Sequence, residues 1–181
     1  MNKTNDLQVA VFGNGCFWCT EAIFSQLKGV VSVTSGYAGG HTLNPTYQQV
    51  CSDTTGHAEV VRITFDPLLI TYADLLEVFW QTHDPTTPNR QGNDIGSQYR
   101  SIILYGDEGQ KQIAQQMLND LEERKVFPAP VVTEIVPLKE FYPAEDYHQE
   151  YYFLNKAQPY CQFVISPKLE KFKKKFSEKL T

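Results

Sequence analysis

The sequence predicts an α+β fold for a single domain, and the order of its hydrophobic patterns leads to that prediction. Short apolar or alternating stretches, typical of strands, are interleaved with two stretches that have apolar residues at helical spacing. The chain has 181 residues, which suits one domain and is enough to bury a core without disulfide or metal staples. We therefore treat residues 1–181 as one domain.

The first half of the chain supplies a strand, a turn and a helix, followed by two more strands. Residues 8–12 form a short apolar strand, Gly-Asn-Gly forms a turn, and a helical pattern covers residues 17–27. Residues 30–34 are expected to form a second strand that ends at the Gly-rich sequence SGYAGG, and residues 57–65 alternate like a third.

A second helix and a fourth strand complete the core. Thr71 is a candidate N-cap, an apolar stripe follows it, and residues 99–105 are the fourth strand. The stripe consists of Leu75, Leu76, Phe79 and Trp80. The order β-α-β-β-α-β matches the split βαβ, ferredoxin-like unit, in which both helices pack on one face of a largely antiparallel sheet.

Additional segments decorate this core. Residues 108–124 form an amphipathic helix, residues 131–136 add a strand, and the C-terminal extension ends in a helix whose lysines face solvent. Two long connections, residues 36–56 and 84–98, are rich in Gly, Pro, Asn, Asp and Thr. Loops of that length in a compact domain are often functional, so we expect substrate contacts there.

Charge and composition narrow the class of protein. A net charge of -5 argues against a nucleic-acid partner. The first ten residues, MNKTNDLQVA, lack the apolar stretch of a signal peptide, and no later stretch is long enough to cross a membrane. We expect a cytoplasmic monomer with no membrane contact, in which four cysteines are catalytic, metal-binding or simply buried.

Cys16 lies where the glycine turn meets the first helix, in the sequence GNGCFWCTE. The amide groups and dipole of a helix N-terminus favour a thiolate, so the pKa of Cys16 is expected to be lowered. A buried, inert cysteine is the alternative.

Cys16 and Cys19 also form a C-x-x-C motif, which at a strand-to-helix junction indicates thiol-disulfide exchange. A zinc-stabilised binding module is the non-enzymatic alternative, but a zinc site needs a second pair of ligands at suitable spacing. The remaining candidates do not provide that spacing. They are Cys51, Cys161, His57 and His148.

Several long blocks of the chain resemble the A-type peptide-methionine sulfoxide reductase family. They are GCFWCTE, GYAGG, NPTYQQVC, GHAEVVRITFDP, VFWQTHDPTT, RQGNDIGSQYRS and PYCQFVISPK, and together they span nearly the whole sequence. The resemblance implies reduction of the S epimer of methionine sulfoxide, free or within oxidised proteins. It also implies recycling by thioredoxin, with no metal or organic cofactor.

The resemblance assigns roles to individual residues. It implies that Cys16 is the nucleophile and Glu59 the acid, and that Phe17 and Trp18 line the pocket for the substrate methyl group. Further active-site and substrate-binding positions are Tyr47, Tyr99, Asp94, Gly15 and His57. Of these, His57 is expected to orient its strand rather than to transfer protons.

The chemistry of a sulfoxide agrees with these roles, because its electrophilic sulfur needs a thiolate and its basic oxygen needs a proton donor. Glu59 shares a strand face with Val61, Ile63 and Phe65, so an apolar environment is expected to raise its pKa. A neutral carboxylic acid could then donate to the sulfoxide oxygen. The alternative is a solvated carboxylate near a strand end.

The attack leaves Cys16 as a sulfenic acid, which a second thiol converts to a disulfide. Many relatives carry Gly at the position of Cys19 and use a C-terminal cysteine, which the PYC sequence supplies as Cys161. We expect Cys161 to be the resolving cysteine, with Cys19 as the alternative. Cys51 is interpreted as a buried or spectator thiol.

Overall fold

A six-stranded mixed sheet forms the centre of the computed structural model, which describes residues 6–181. Residues 1–5, part of the stretch searched for a targeting signal, lie outside the described residues. The strands of this sheet and of a separate hairpin are β1 (Gln8–Asn14), β2 (Val30–Ala38), β3 (Ala58–Phe65), β4 (Arg90–Gln91), β5 (Asp94–Ile95), β6 (Ser101–Tyr105), β7 (Glu134–Pro137) and β8 (Phe141–Pro143).

Helices connect the strands and extend the C-terminus. The α-helices are α1 (Phe17–Phe24), α2 (Tyr47–Cys51), α3 (Tyr72–Gln81), α4 (Glu108–Glu123), α5 (Tyr151–Leu154) and α6 (Ser166–Lys175). Short 3-10 helices cover Ser97–Tyr99, Asp146–His148 and Ser177–Lys179, and a π-helix, Cys161–Ile165, precedes α6. Among the helices of residues 6–181, none combines the length and the apolar character needed to cross a bilayer.

The strand order confirms the predicted α+β core. The sheet runs β7-β6-β1-β3-β2-β8, and its central four strands pair antiparallel, with Phe12 opposite Val61 and Tyr37 opposite Glu59. This is the ferredoxin-like arrangement of two interlocked split βαβ units. At the edges, β7 pairs parallel to β6 and β8 pairs antiparallel to β2.

Side chains alternate between the two faces of the sheet, and each face carries its own hydrophobic cluster. Phe12, Val61 and Ile63 point to the face covered by the helices, where the main hydrophobic cluster lies. Val60 and Ile102 point to the opposite face, which a smaller cluster fills. Glu59 has the same parity as Val61, so its side chain points toward the helices rather than toward the smaller cluster.

Helix α3 begins as the sequence predicted. Thr71 Oγ1 accepts a hydrogen bond from Asp74 N at 3.0 Å, and the Asp74 carboxylate accepts one from Thr71 N at 3.0 Å. This reciprocal capping box satisfies amide groups that a helix start would otherwise leave without partners.

Strand β2 is longer than predicted, because it continues into the glycine-rich sequence as far as Ala38 instead of ending at Thr34. Its last residues pair with β8 as well as with β3. A Cβ at Gly36 would lie 2.4 Å from Phe141 Cζ, so glycine permits this close approach. The long connections also contain structure, namely α2 in the first and the hairpin of β4 and β5 in the second.

Glu21 joins α1 to two later parts of the chain. Its Oε2 accepts a hydrogen bond from Ser35 Oγ at 2.8 Å, and its Oε1 accepts one from the backbone N–H of Glu150. The side chain is buried, and that burial raises the pKa of Glu21 to about 7 despite these donors.

This raised pKa predicts a pH-dependent contribution to stability. The favourable contribution is complete below the ordinary carboxyl pKa of 4.5 and is lost as pH rises through about 7. Between pH 5 and pH 9, the wild-type protein should therefore lose about 2 to 3 kcal/mol more unfolding free energy than Glu21→Gln, which cannot ionise. Urea unfolding at both pH values measures the difference.

The exposed Glu108 supplies a control, since Glu108→Gln should leave the wild-type pH dependence in place. If Glu21→Gln showed the same pH dependence as the wild type, ionisation of Glu21 would not limit stability at high pH.

Candidate active site

The turn between β1 and α1 places Cys16 at the N-cap of α1. Gly15 has φ +114, and a Cβ there would lie 2.8 Å from Gln91 Cγ, so both the backbone conformation and the space favour glycine. The resulting geometry holds the Cys16 side chain in the protein interior with little exposure.

The pKa of Cys16 is raised well above its ordinary value, so the predicted lowering is wrong. Burial is the largest cause, and the neighbouring charges of Glu59 and Cys19 raise the pKa further. The amide of Trp18 and the hydroxyl of Tyr160 act in the opposite direction. The helix start therefore offers the sulfur some stabilisation, but desolvation outweighs it.

Glu59 is a buried carboxyl beside this sulfur. It is 2% exposed, and its Oε1 accepts a hydrogen bond from Phe17 N at 3.2 Å. Burial raises the pKa of Glu59 to about 8, with a further contribution from Asp94, whereas the Phe17 amide lowers it. The raised pKa expected from the strand alternation is confirmed, and at neutral pH the group is largely a carboxylic acid.

Two aromatic residues that follow Cys16 are held by the segment around His148. The Phe17 ring is buried with its centroid 5.0 Å from that of His148. Trp18 is half-buried and stacks on Tyr151 at 3.8 Å with an interplanar angle of 10°. Trp18 Nε1 donates to His148 Nδ1 at 3.0 Å, which fixes the orientation of the indole.

Two phenols lie close to the Glu59 carboxyl. Burial raises the pKa of both Tyr47 and Tyr99, and the charge of Glu59 adds to the increase for each. Both hydroxyls therefore remain protonated and can donate. Tyr47 begins α2, its hydroxyl hydrogen-bonds to the Cys51 thiol, and its ring centroid is 4.5 Å from that of His148.

Asp94 enters the site from β5. Its Oδ2 accepts a hydrogen bond from the hydroxyl of Tyr160 at 2.7 Å. Tyr160 also interacts with Cys16 and Cys19, and its ring meets Trp18 edge-on at a centroid distance of 5.8 Å. The second long connection thus delivers a carboxylate next to the cysteines.

The structure brings most of the residues selected from the sequence into this pocket. They are Cys16, Phe17, Trp18, Tyr47, Glu59, Asp94 and Tyr99. His57 is engaged elsewhere, because its Nδ1 accepts from Gly40 N at 3.0 Å and its Nε2 lies 2.7 Å from the Thr42 carbonyl. With both ring nitrogens bonded to a loop, His57 has none to offer a substrate.

Three residues of the site were missed by the sequence reasoning: His148, Tyr151 and Tyr160. All lie in the last quarter of the chain, beyond the core elements that the hydrophobic pattern identified. The unusual density of aromatic side chains between residues 141 and 153 was the available signal for His148 and Tyr151, and it does not extend to Tyr160.

The other cysteines differ in accessibility. Cys19, in the first turn of α1, is buried and interacts electrostatically with both Cys16 and Cys161. Cys161 is 0% exposed at the start of the π-helix. Cys51 is exposed rather than buried, and it borders the pocket through Tyr47. Within residues 6–181, no group of three His, Cys, Asp or Glu side chains is arranged to hold a metal ion.

Comparison with known proteins agrees with this chemistry. The family model described as peptide methionine sulfoxide reductase matches residues 8–180. The peptide methionine sulfoxide reductase MsrA of Sulfolobus acidocaldarius is 62% identical over 173 residues, which is 96% of this chain and 97% of that protein.

Solved structures give the same result. Reduced Mxr1 from Saccharomyces cerevisiae superimposes with a TM-score of 0.79 at 30% identity, covering 89% of this chain and 92% of Mxr1. Mxr1 in complex with Trx2 matches with a TM-score of 0.56 at 23% identity, covering 83% and 88% of the two chains, and shows the shared fold. Because the family model and the Sulfolobus relative both span nearly its whole length, this chain belongs to the peptide methionine sulfoxide reductase family and is an oxidoreductase.

Proposed function

We propose that the protein reduces the S epimer of methionine sulfoxide, both free and within polypeptides, with Cys16 as nucleophile and Glu59 as proton donor. The observation that carries this proposal is a buried carboxyl with a pKa of about 8 next to the Cys16 sulfur. A sulfoxide bound between them would meet a nucleophile and an acid at once. The preference for the S epimer follows from the A-type resemblance.

In the chemical step, the Cys16 sulfur attacks the sulfoxide sulfur while Glu59 gives its proton to the oxygen. The sulfur–oxygen bond of the substrate breaks, and the oxygen ends on Cys16 as a sulfenic acid. The methionine sulfur is reduced and the cysteine sulfur is oxidised. The proton of the Cys16 thiol restores Glu59, so the step needs no net proton uptake.

The remaining pocket residues bind the substrate in this proposal. Phe17 and Trp18 hold the methyl group by apolar and sulfur–aromatic contact. The protonated Tyr99 hydroxyl faces the oxygen and the Tyr47 hydroxyl turns toward it from Cys51, and both stabilise the charge that develops there. Asp94 acts through Tyr160, which its hydrogen bond keeps beside Cys16.

Epimer-resolved chromatography of a methionine sulfoxide peptide, with dithiothreitol as reductant, tests the proposed activity. The S epimer should be consumed and the R epimer should remain. Cys16→Ser should lower the rate at least about a thousandfold, because an alcohol at neutral pH is a poor nucleophile toward sulfur. Substantial turnover by a folded Cys16→Ser variant would contradict the role of Cys16.

Glu59→Gln tests the acid. Glutamine retains an oxygen that can accept from Phe17 N, so the fold should persist while kcat falls about a hundredfold. Since the proposed acid must be protonated, wild-type kcat/KM should decline as pH rises through about 8, and the variant should lack this decline. Unchanged kinetics around neutral pH would remove Glu59 from the mechanism.

Recycling requires a second thiol and an external reductant. In the proposed sequence, the Cys16 sulfenic acid condenses with a thiol, releases water and forms a disulfide, which a thioredoxin dithiol then reduces. The complex of Mxr1 with Trx2 supports a thioredoxin partner for this chain as well. We assign the protein no metal or organic cofactor.

The positions of the cysteines favour a two-step route to Cys161. Cys19 interacts with both other thiols, so we propose that it first forms the disulfide with Cys16. Cys161 then attacks Cys19 as a thiolate, which forms the Cys19–Cys161 disulfide and releases the Cys16 thiolate. Cys161 thereby remains the final resolving cysteine. Cys19 takes part in the first disulfide of the route and does not replace Cys161.

Single-turnover and steady-state assays separate these steps. Cys19→Ser and Cys161→Ser should each release about one methionine per enzyme, yet both should lose at least about tenfold of the thioredoxin-dependent turnover. Dithiothreitol should restore both, because it attacks the sulfenic acid directly. Full turnover of Cys19→Ser would indicate direct transfer to Cys161, and full turnover of Cys161→Ser would make Cys19 the sole resolver. Mass mapping identifies the disulfide in each case.

We also propose a monomer that acts in the cytoplasm. One chain contains every residue of the proposed mechanism, which supports a monomeric enzyme. The cycle alternates between thiols and a disulfide, and a reducing compartment favours the return to thiols.

A further inference from the structure

Tyr147 is an exposed aromatic residue in a segment that is otherwise firmly held. Its side chain belongs to the 3-10 helix Asp146–His148, and the residue is 60% exposed. The residue that follows, His148, is completely buried. Within this short helix, the His148 side chain therefore lies in the protein interior and the Tyr147 side chain lies in solvent.

Hydrogen bonds on both sides keep this segment in place. Glu145 accepts from the Tyr37 hydroxyl at 3.0 Å and from Tyr47 N at 3.1 Å. Gln149 accepts from Ser35 N at 2.9 Å and donates to Ser35 O at 2.9 Å. The ring of Tyr147 is thus presented to solvent from a rigid backbone, which lowers the entropy cost of using it as a contact.

The Tyr147 ring adjoins the wall of the active site. Its centroid is 4.0 Å from that of His148, whose ring also lies 5.0 Å from Phe17 and 4.5 Å from Tyr47 and contacts Trp18. Tyr147 also interacts electrostatically with Cys51, the exposed thiol that is hydrogen-bonded to Tyr47. The ring therefore lies on the protein surface, directly over a residue that contacts the proposed active site.

Free and polypeptide-bound methionine sulfoxide differ in what they place on the surface around the active site. Free methionine sulfoxide needs the pocket for its side chain and ends within a few atoms of it. A methionine sulfoxide within a polypeptide continues in both directions, so its flanking residues must lie on the surface around the pocket. A rigid, exposed aromatic ring beside such a site is the kind of residue that contributes most to polypeptide recognition.

We propose that Tyr147 is a specificity-determining residue that packs against the chain flanking an oxidised methionine and so favours polypeptides over the free amino acid. Its ligand is an apolar or aromatic side chain, or a peptide plane, next to the oxidised residue. This inference rests on the proposed function, because it takes reduction at Cys16 as given.

Kinetics on two matched substrates test the role of Tyr147. They are free methionine S-sulfoxide and a peptide with blocked ends in which leucine flanks the same sulfoxide, both with dithiothreitol as reductant. Tyr147→Ala should lower kcat/KM for the peptide about fivefold to tenfold, through KM, and should change the free substrate less than about twofold. Tyr147→Phe should retain the peptide activity, since it keeps the ring.

Leu68→Ala is the matched control, because Leu68 is 74% exposed and follows β3 at the end away from Glu59. It should leave both substrates unchanged. Equal losses of Tyr147→Ala on both substrates would show that Tyr147 acts through His148, and an unchanged peptide KM would show that the ring makes no contact. Either result overturns the inference. A wild-type protein inactive on both substrates would instead contradict the proposed function.

Discussion

The hydrogen bond from Phe17 N to Glu59 Oε1, at 3.2 Å, joins the start of the first helix to the third strand. The same contact gives the buried carboxyl a backbone donor from the residue that follows Cys16. One hydrogen bond therefore joins the start of α1, strand β3 and the Glu59 carboxyl. A shift of β3 by one residue would turn Glu59 to the opposite face of the sheet and leave the helix start without this partner.

The interior around this bond favours neutral groups. Burial raises the pKa of Cys16, Glu21 and Glu59, and nearby negative charges raise it further. A thiolate and a carboxylate side by side would repel each other, so each group keeps its own proton at neutral pH, and the charge of an ionised Glu59 raises the pKa of Cys16. The pocket is therefore suited to moving a proton between its own groups during the reaction, instead of exchanging it with water.

The sequence predicted the core well because that part of the fold depends on periodicity. The alternation of β3 placed Glu59 on the helix face, and the capping residues of α3 located its start. The pKa of Cys16 was predicted in the wrong direction, because a motif reveals the helix start but not the depth of burial. His148 and Tyr160 were missed since they reach the site from a segment whose path depends on tertiary contacts with Trp18 and Asp94.

Methionine is oxidised by peroxides, so a protein that repairs it meets the same oxidants. Peroxide attacks thiolates, and it can carry an exposed cysteine past the sulfenic acid to states that a disulfide exchange no longer restores. The thiols of Cys16, Cys19 and Cys161 are buried, and their raised pKa keeps them protonated in the resting protein. Substrate that fills the pocket brings its own oxygen to the sulfur, whereas a dissolved oxidant must first enter the interior. Burial of Cys16 thus shields the proposed nucleophile from irreversible oxidation by the same peroxides that oxidise methionine.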